Sequence, residues 1–178
     1  MSEILQAYFA GGCFWCTEAI FQKLKGVIKV VPGYAGGEMP NPDYQAVSSG
    51  ETGHAEVIKI EFDSETISYQ KLLEVFFSTH DPTTKDMQGA DVGTQYRSII
   101  FYLNDQQKTQ ARDFINKLTE EKIFQEPIVT ELVPFDKFYP AEEYHRDYYQ
   151  KNPQNSYCQV VINPKLKKFK DNYKHLLK

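Results

Sequence analysis

Ile4-Leu5-Gln6-Ala7-Tyr8-Phe9-Ala10, followed at once by Gly11-Gly12-Cys13-Phe14-Trp15-Cys16, is the stretch that decides how this chain reads. The run Ile4–Ala10 is apolar and reads as a strand. Beyond it, Ala19, Ile20, Phe21 and Leu24 fall on one face of a helix, which predicts α-structure from about Phe14 to Lys25. Cys13 therefore belongs to a glycine-led turn at a helix N-terminus. Unpaired N–H groups and the positive end of the helix dipole favour an anion there. A thiol so placed is expected to be a better thiolate than a free one, and the thiolate is the nucleophile. The single tryptophan stands two residues further on, beside Phe14. Inert burial is the commoner fate of a free cysteine, but the turn and its aromatic flank favour the reactive reading.

Downstream, Val27–Val31 reads as a strand ending at Pro32-Gly33. The stretch from Tyr34 to Gly53 is rich in Gly, Pro, Asn and Ser and reads as a long loop of the functional kind. Ala55–Phe62 alternates as a strand. Ser68 caps a helix bearing Leu72, Leu73, Val75, Phe76 and Phe77. A second loop, Asp81 to Gln95, leads to a strand at Ser98–Leu103. Asn104 and Gln107 have capping-box spacing and open a helix to about Lys122, followed by a strand at Ile128–Val133. The order βαββαβ then αβ predicts an α+β two-layer sandwich with a mixed sheet and a split βαβ (ferredoxin-like) core. No repeat or linker divides residues 1–178, so a single domain is expected. Within it, 135–178 forms a tail whose polar-aromatic part, Phe135 to Cys158, is expected to wrap the domain rather than join the sheet.

With 41% hydrophobic and 25% charged residues over 178 positions, the composition is that of an ordinary globular protein. A formal charge of −4 argues against general binding to nucleic acid or to anionic membranes. The lysines from Lys165 to Lys178 alternate with Leu166, Phe169, Tyr173 and Leu177 as the solvated side of a last helix. The start lacks a basic region and a secretory core, and no run is long enough to span a membrane, so a cytoplasmic protein is expected. Three cysteines do not describe a secreted disulfide scaffold. Twelve tyrosines need hydrogen-bond partners wherever they are buried, as in a phenol-lined pocket.

Cys13 and Cys16 form a C-x-x-C. Zinc would need a second pair of ligands, which Cys158 and four scattered histidines do not supply, so no metal is expected. A thioredoxin-like dithiol is the stronger rival. Phe14 and Trp15, however, suit a small apolar group better than a docked disulfide. Glu56, between Ala55 and Val57, is either an ordinary strand carboxylate or a buried acid able to donate a proton. Asp91, in Asp91-Val92-Gly93-Thr94-Gln95-Tyr96-Arg97-Ser98, either caps a turn or shapes a site. Tyr44, in the first loop, is exposed or functional. Cys158 ends a proline-containing segment able to travel, as a resolving thiol must.

Taken together, Gly12-Cys13-Phe14-Trp15, Gly33-Tyr34, Asn41-Pro42-Asp43-Tyr44, Thr52-Gly53-His54-Ala55-Glu56, His80-Asp81-Pro82, Gly93-Thr94-Gln95-Tyr96-Arg97-Ser98, Ala141-Glu142-Glu143-Tyr144-His145 and Tyr157-Cys158 resemble the A-type peptide methionine sulfoxide reductases. The resemblance runs in order through nearly the whole chain. It implies Cys13 as nucleophile and Glu56 as general acid, with Tyr44 and Tyr96 on the sulfoxide oxygen. Phe14 and Trp15 would hold the S-methyl group, and Asp91 would help organise the pocket. It implies an S-sulfoxide substrate, free or in peptides and proteins, and a Cys13 sulfenic acid resolved to a disulfide. Thioredoxin, or dithiothreitol in vitro, would then reduce that disulfide, with no bound cofactor. A monomer is expected. Cys158 holds the family's recycling position, and Cys16 is the alternative resolving thiol. Nothing after Cys158 is cysteine, so a relay through a further thiol in the tail is absent. Two rival functions remain at this stage: a dithiol–disulfide oxidoreductase using Cys13 and Cys16, and a peptide-binding module.

Overall fold

The computed structural model describes residues 2–178. Its elements are β1 (Ile4–Ala10), α1 (Phe14–Phe21), β2 (Val27–Ala35), α2 (Tyr44–Ser48), β3 (Ala55–Asp63) and α3 (Tyr69–Ser78). A short hairpin follows, β4 (Met87–Gln88) and β5 (Asp91–Val92), then β6 (Ile99–Tyr102), α4 (Asp105–Glu120), β7 (Glu131–Pro134) and β8 (Phe138–Pro140). The chain ends in α5 (Tyr148–Lys151), a π-helical turn at Cys158–Ile162 and α6 (Asn163–Asn172). The main sheet runs β7-β6-β1-β3-β2-β8. Its pairs are antiparallel except β6 with β7. These two are joined through α4, as a parallel pair requires a crossover. The architecture is thus α+β with a mixed sheet.

Strand alternation sorts the side chains into two layers. Ala7 and Phe9 of β1, with Ile58, Ile60 and Phe62 of β3, pack under α1, α3 and α6 through Phe21, Leu72, Phe76 and Phe169. Tyr8, Ala10, Ala55 and Val57 line the opposite face. Glu56 follows the first set and points toward the helices.

The expectation that the tail wraps without entering the sheet is corrected. β8 pairs with β2, Gly33 opposite Pro140 and Ala35 opposite Phe138. The approach is close enough that a Cβ at Gly33 would lie 2.4 Å from Phe138 Cζ and 2.5 Å from the Tyr139 carbonyl. Only glycine admits this edge strand. The tail also covers the far face, where Phe135 stacks on Tyr8 at 4.2 Å.

Other boundaries move for local reasons. α1 stops at Phe21; the tighter bonds from Lys23 N to Ile20 O and Leu24 N to Phe21 O close it, and Gly26 turns at φ 89°. β2 continues through Pro32-Gly33 because β3 and then β8 pair with it. The first loop contains α2, whose Ala46 amide donates to Asp43 Oδ1 at 2.7 Å. The expected caps are present: Lys71 N donates to Ser68 Oγ at 3.1 Å and Gln107 N to Asn104 Oδ1 at 2.9 Å. No helix among the described residues is long and apolar enough to cross a membrane.

Candidate active site

Gly12 adopts φ 93°, which turns β1 into α1 and makes Cys13 the N-cap residue. A Cβ at Gly12 would sit 2.6 Å from Gln88 Cγ, so the turn also needs glycine for space. Cys13 and Cys16 are both buried and not bridged to one another, 8% and 2% exposed. Between them Phe14 is fully buried, and its amide donates to Glu56 Oε1 at 3.0 Å. β3 thus delivers a carboxyl to an orphan N–H of the first helical turn. Glu56 is 1% exposed, and burial pushes its carboxyl up to about 8, with the Asp91 and Cys16 charges adding and the Phe14 amide opposing. Near neutral pH it carries a proton.

The expected lowering of the Cys13 thiol does not hold in the substrate-free site. Burial pushes it up, as do its hydrogen bond to Cys16 and the charge of Glu56, while the Trp15 amide pulls the other way. The N-terminal field of α1 is outweighed by desolvation. Cys16 is lowered instead, first because Cys13 donates to it, then by Lys165 and the Tyr157 hydroxyl.

Tyr44 opens α2 and Tyr96 ends the turn Thr94–Tyr96. Burial, then the charges of Glu56 and Cys13, pushes Tyr44 up to about 12, and burial and Glu56 raise Tyr96 as well. Both phenols remain donors. Asp91 accepts the Tyr157 hydroxyl at 2.5 Å, and the same hydroxyl lies 3.7 Å from Cys16 Sγ. Asp91 is thereby also tied to Cys16 through the Tyr157 hydroxyl.

Trp15 is held on several sides. Its Nε1 donates to His145 Nδ1 at 3.0 Å, and Tyr148 stacks on it at 3.7 Å with 5° between planes. Phe14 rests 5.0 Å from the His145 ring and 6.4 Å from Tyr44. Cys158 is 0% exposed and packs with Cys13, Cys16, Ala19 and Ile162. Burial and the Cys16 charge push its thiol up.

The structure thus gathers Cys13, Phe14, Trp15, Cys16, Tyr44, Glu56, Asp91, Tyr96 and Cys158 at one end of α1. It adds residues to which sequence reasoning gave no role. Glu142 accepts from the Tyr34 hydroxyl and from Tyr44 N, both at 2.9 Å. His145, Tyr148 and Tyr157 join it from the tail. The tail's density of Tyr, His and Glu is the signal that marks them, though not by position. Among the described residues no group of three or more His, Cys, Asp or Glu is placed to hold a metal. A groove of about 880 Å³ between the end of α3 and α6 contains none of the reactive groups.

Three free cysteines in one cluster, the first beside a buried carboxyl and two phenols, mark a thiol-based redox protein. A model of the family "Peptide methionine sulfoxide reductase" matches residues 5–177, and the chain belongs to that family. It is 56% identical over 167 residues to "Peptide methionine sulfoxide reductase MsrA" of Sulfolobus acidocaldarius, covering 94% of each chain. Its fold superposes on the reduced form of Mxr1 from Saccharomyces cerevisiae with TM-score 0.82 and 35% identity, covering 88% of this chain and 90% of the other. Mxr1 in complex with Trx2 superposes with TM-score 0.59 and 25% identity, covering 82% and 85%.

Proposed function

We propose that the protein reduces methionine S-sulfoxide, free or in peptides and proteins, to methionine. The supporting observation is Glu56, buried, bound to the Phe14 amide and pushed up to about 8 beside the Cys13 thiol. Sulfoxide oxygen leaves only when protonated, so the reaction needs an acid and a sulfur nucleophile within reach of one another. Cys13 attacks the sulfoxide sulfur as Glu56 protonates the oxygen. Tyr44 and Tyr96 donate to that oxygen, and Phe14 and Trp15 hold the S-methyl group, a favourable contact for sulfur. The Cys13 proton replaces the one Glu56 gives up. The balance is thiol plus sulfoxide giving sulfenic acid plus thioether, the oxygen passing from methionine to Cys13. A second thiol condenses with the sulfenic acid, releasing water and leaving a disulfide. Thioredoxin reduces that disulfide by exchange, a reading supported by the Trx2 complex of the yeast relative. No metal or prosthetic group takes part.

Cys158 is the recycling thiol implied by the family resemblance. The packing of Cys13, Cys16 and Cys158 in one cluster favours a second reading, in which Cys16 resolves first and Cys158 then exchanges with Cys16. Cys13 and Cys16 stand at the N-cap and third helical positions, both in the first turn. The same framework carries the remaining readings: a single catalytic domain of 1–178 with the tail at 135–178, acting as a monomer in the cytoplasm. Nucleic acid and membrane are not partners in it. The order β6-β1-β3-β2 with antiparallel pairing supports a split βαβ, ferredoxin-like core.

Racemic methionine sulfoxide with dithiothreitol tests the function. Conversion is expected to stop at half, leaving the other epimer. Full conversion refutes the stereochemistry, and insulin reduction without methionine release favours the dithiol oxidoreductase.

A further inference from the structure

Glu18 lies about one helical turn beyond Trp15 on α1 and takes no part in the steps above. It is nonetheless 1% exposed on α1, and burial pushes its carboxyl up to about 7. Burying a carboxylate is costly unless its hydrogen bonds are met. Glu18 meets them with the tail. Its Oε2 accepts the Asp147 amide at 3.2 Å, and the Tyr148 amide also donates to its carboxylate. Asp147 adopts the left-handed φ of 52°, unfavourable for a residue with a side chain, and its own carboxylate offers no cap to α5. Gln22, one turn along α1, fixes the same residue, its Nε2 donating to Asp147 Oδ1 at 2.6 Å. Immediately after this turn comes Tyr148, flat against Trp15 at 3.7 Å.

We propose that Glu18 is a positioning residue of the reductase site. By receiving the Asp147 and Tyr148 amides it fixes the turn that lays Tyr148 on Trp15, and so sets how tightly the pocket holds the sulfoxide side chain. Glu18 and Trp15 share α1, so the helix that presents the nucleophile also clamps the segment that backs its aromatic wall. The inference rests on the methionine sulfoxide reading for its kinetic part and on geometry alone for its structural part.

Two readouts on the reduced full-length chain separate these parts. Trp15 is the only tryptophan, so intrinsic emission reports its environment without any reaction. Glu18→Ala is expected to shift that emission to the red. KM for methionine S-sulfoxide should rise about 2- to 10-fold, the worth of one aromatic stack, while kcat under dithiothreitol stays within about twofold. Tyr148→Ala should reproduce both changes, and the double variant should add nothing further. A folded Glu18→Ala with unchanged emission, or with shifted emission and unchanged KM, overturns the proposal. Where circular dichroism shows Glu18→Ala unfolded, Glu18→Gln replaces it: one acceptor remains, and the same KM-against-kcat split must appear in smaller measure. If the wild-type protein reduces no sulfoxide, the function proposed above falls, while the emission of Glu18→Ala and Tyr148→Ala still decides the positioning role.

Discussion

The start of α1 and the tail from β8 to Cys158 enclose the same thiols by opposite means. Cys13, Phe14, Trp15 and Cys16 are consecutive, and one glycine turn plus the helical repeat fixes their relative positions. The tail acts through contacts that cross most of the chain. Trp15 meets His145 across 130 residues, Gln22 meets Asp147 across 125, and Tyr34 meets Glu142 across 108. On the proposed function, the first region supplies the atoms that react, through backbone geometry. The second sets what surrounds them, through packing. Substitutions at the helix start should therefore abolish chemistry, whereas those in the tail should alter binding and recycling.

Cys13→Ser is the most severe test of the first half of this contrast. Serine is barely ionised near neutral pH and forms no sulfenic acid, so methionine release should vanish in single-turnover and steady-state assays alike. Glu56→Gln comes next, with a loss of about 10²-fold or more in the single-turnover rate. The wild-type rate should decline as pH rises through about 8, where Glu56 gives up its proton, and the glutamine variant should lack that limb. On the tail side, Cys158→Ser should keep one methionine per enzyme but lose thioredoxin-driven turnover. Peptide mapping after substrate oxidation identifies the partner of Cys13. A dominant Cys13–Cys16 link with turnover intact would make Cys158 a bystander and break the contrast at that point.

Smaller effects sharpen it. Tyr157→Phe removes the hydroxyl that Asp91 binds and that lies by Cys16, raising the Cys16 thiol. Recycling should slow about 3- to 10-fold, the worth of a hydrogen bond of ~1 kcal/mol, with the first step unchanged. Glu56→Gln has a last, thermodynamic signature. The folded-state carboxyl is raised to about 8, so its neutral form favours the native state at low pH. That advantage is lost as pH rises from about 4.3 in the unfolded chain, at roughly 1.4 kcal/mol per unit. The loss is complete once pH passes the folded value. The glutamine variant should therefore melt above wild type at pH 8 and no higher at pH 4.

Features governed by local rules were readable in the sequence. The alternation of Ala55 to Phe62 correctly turns Glu56 toward the helices, and Ser68, Asn104 and Gly12 mark real caps and turns. β8 was not readable, because its three residues carry no pattern; only the bare backbone of Gly33 admits them. His145 and Tyr148 were likewise hidden, since nothing near them in sequence says that they meet Trp15. The acidity of Cys13 was misjudged for a related reason. Helix position is written locally, but desolvation depends on the tail and β3 closing over the thiol.

The turn that carries Cys158 has one more consequence, concerning how cheaply it can open. At Cys158–Ile162 the backbone winds in a wide π turn closed by the Asn163 amide on the Cys158 carbonyl. The next residue, Pro164, has no N–H to offer the carbonyls one turn earlier. The first turn is thus held by fewer main-chain bonds than α6 behind it, whose Leu166 and Phe169 are anchored in the core. On the proposed function, opening of this turn would present the buried Cys158 sulfur to a reductant while α6 stays anchored in the core.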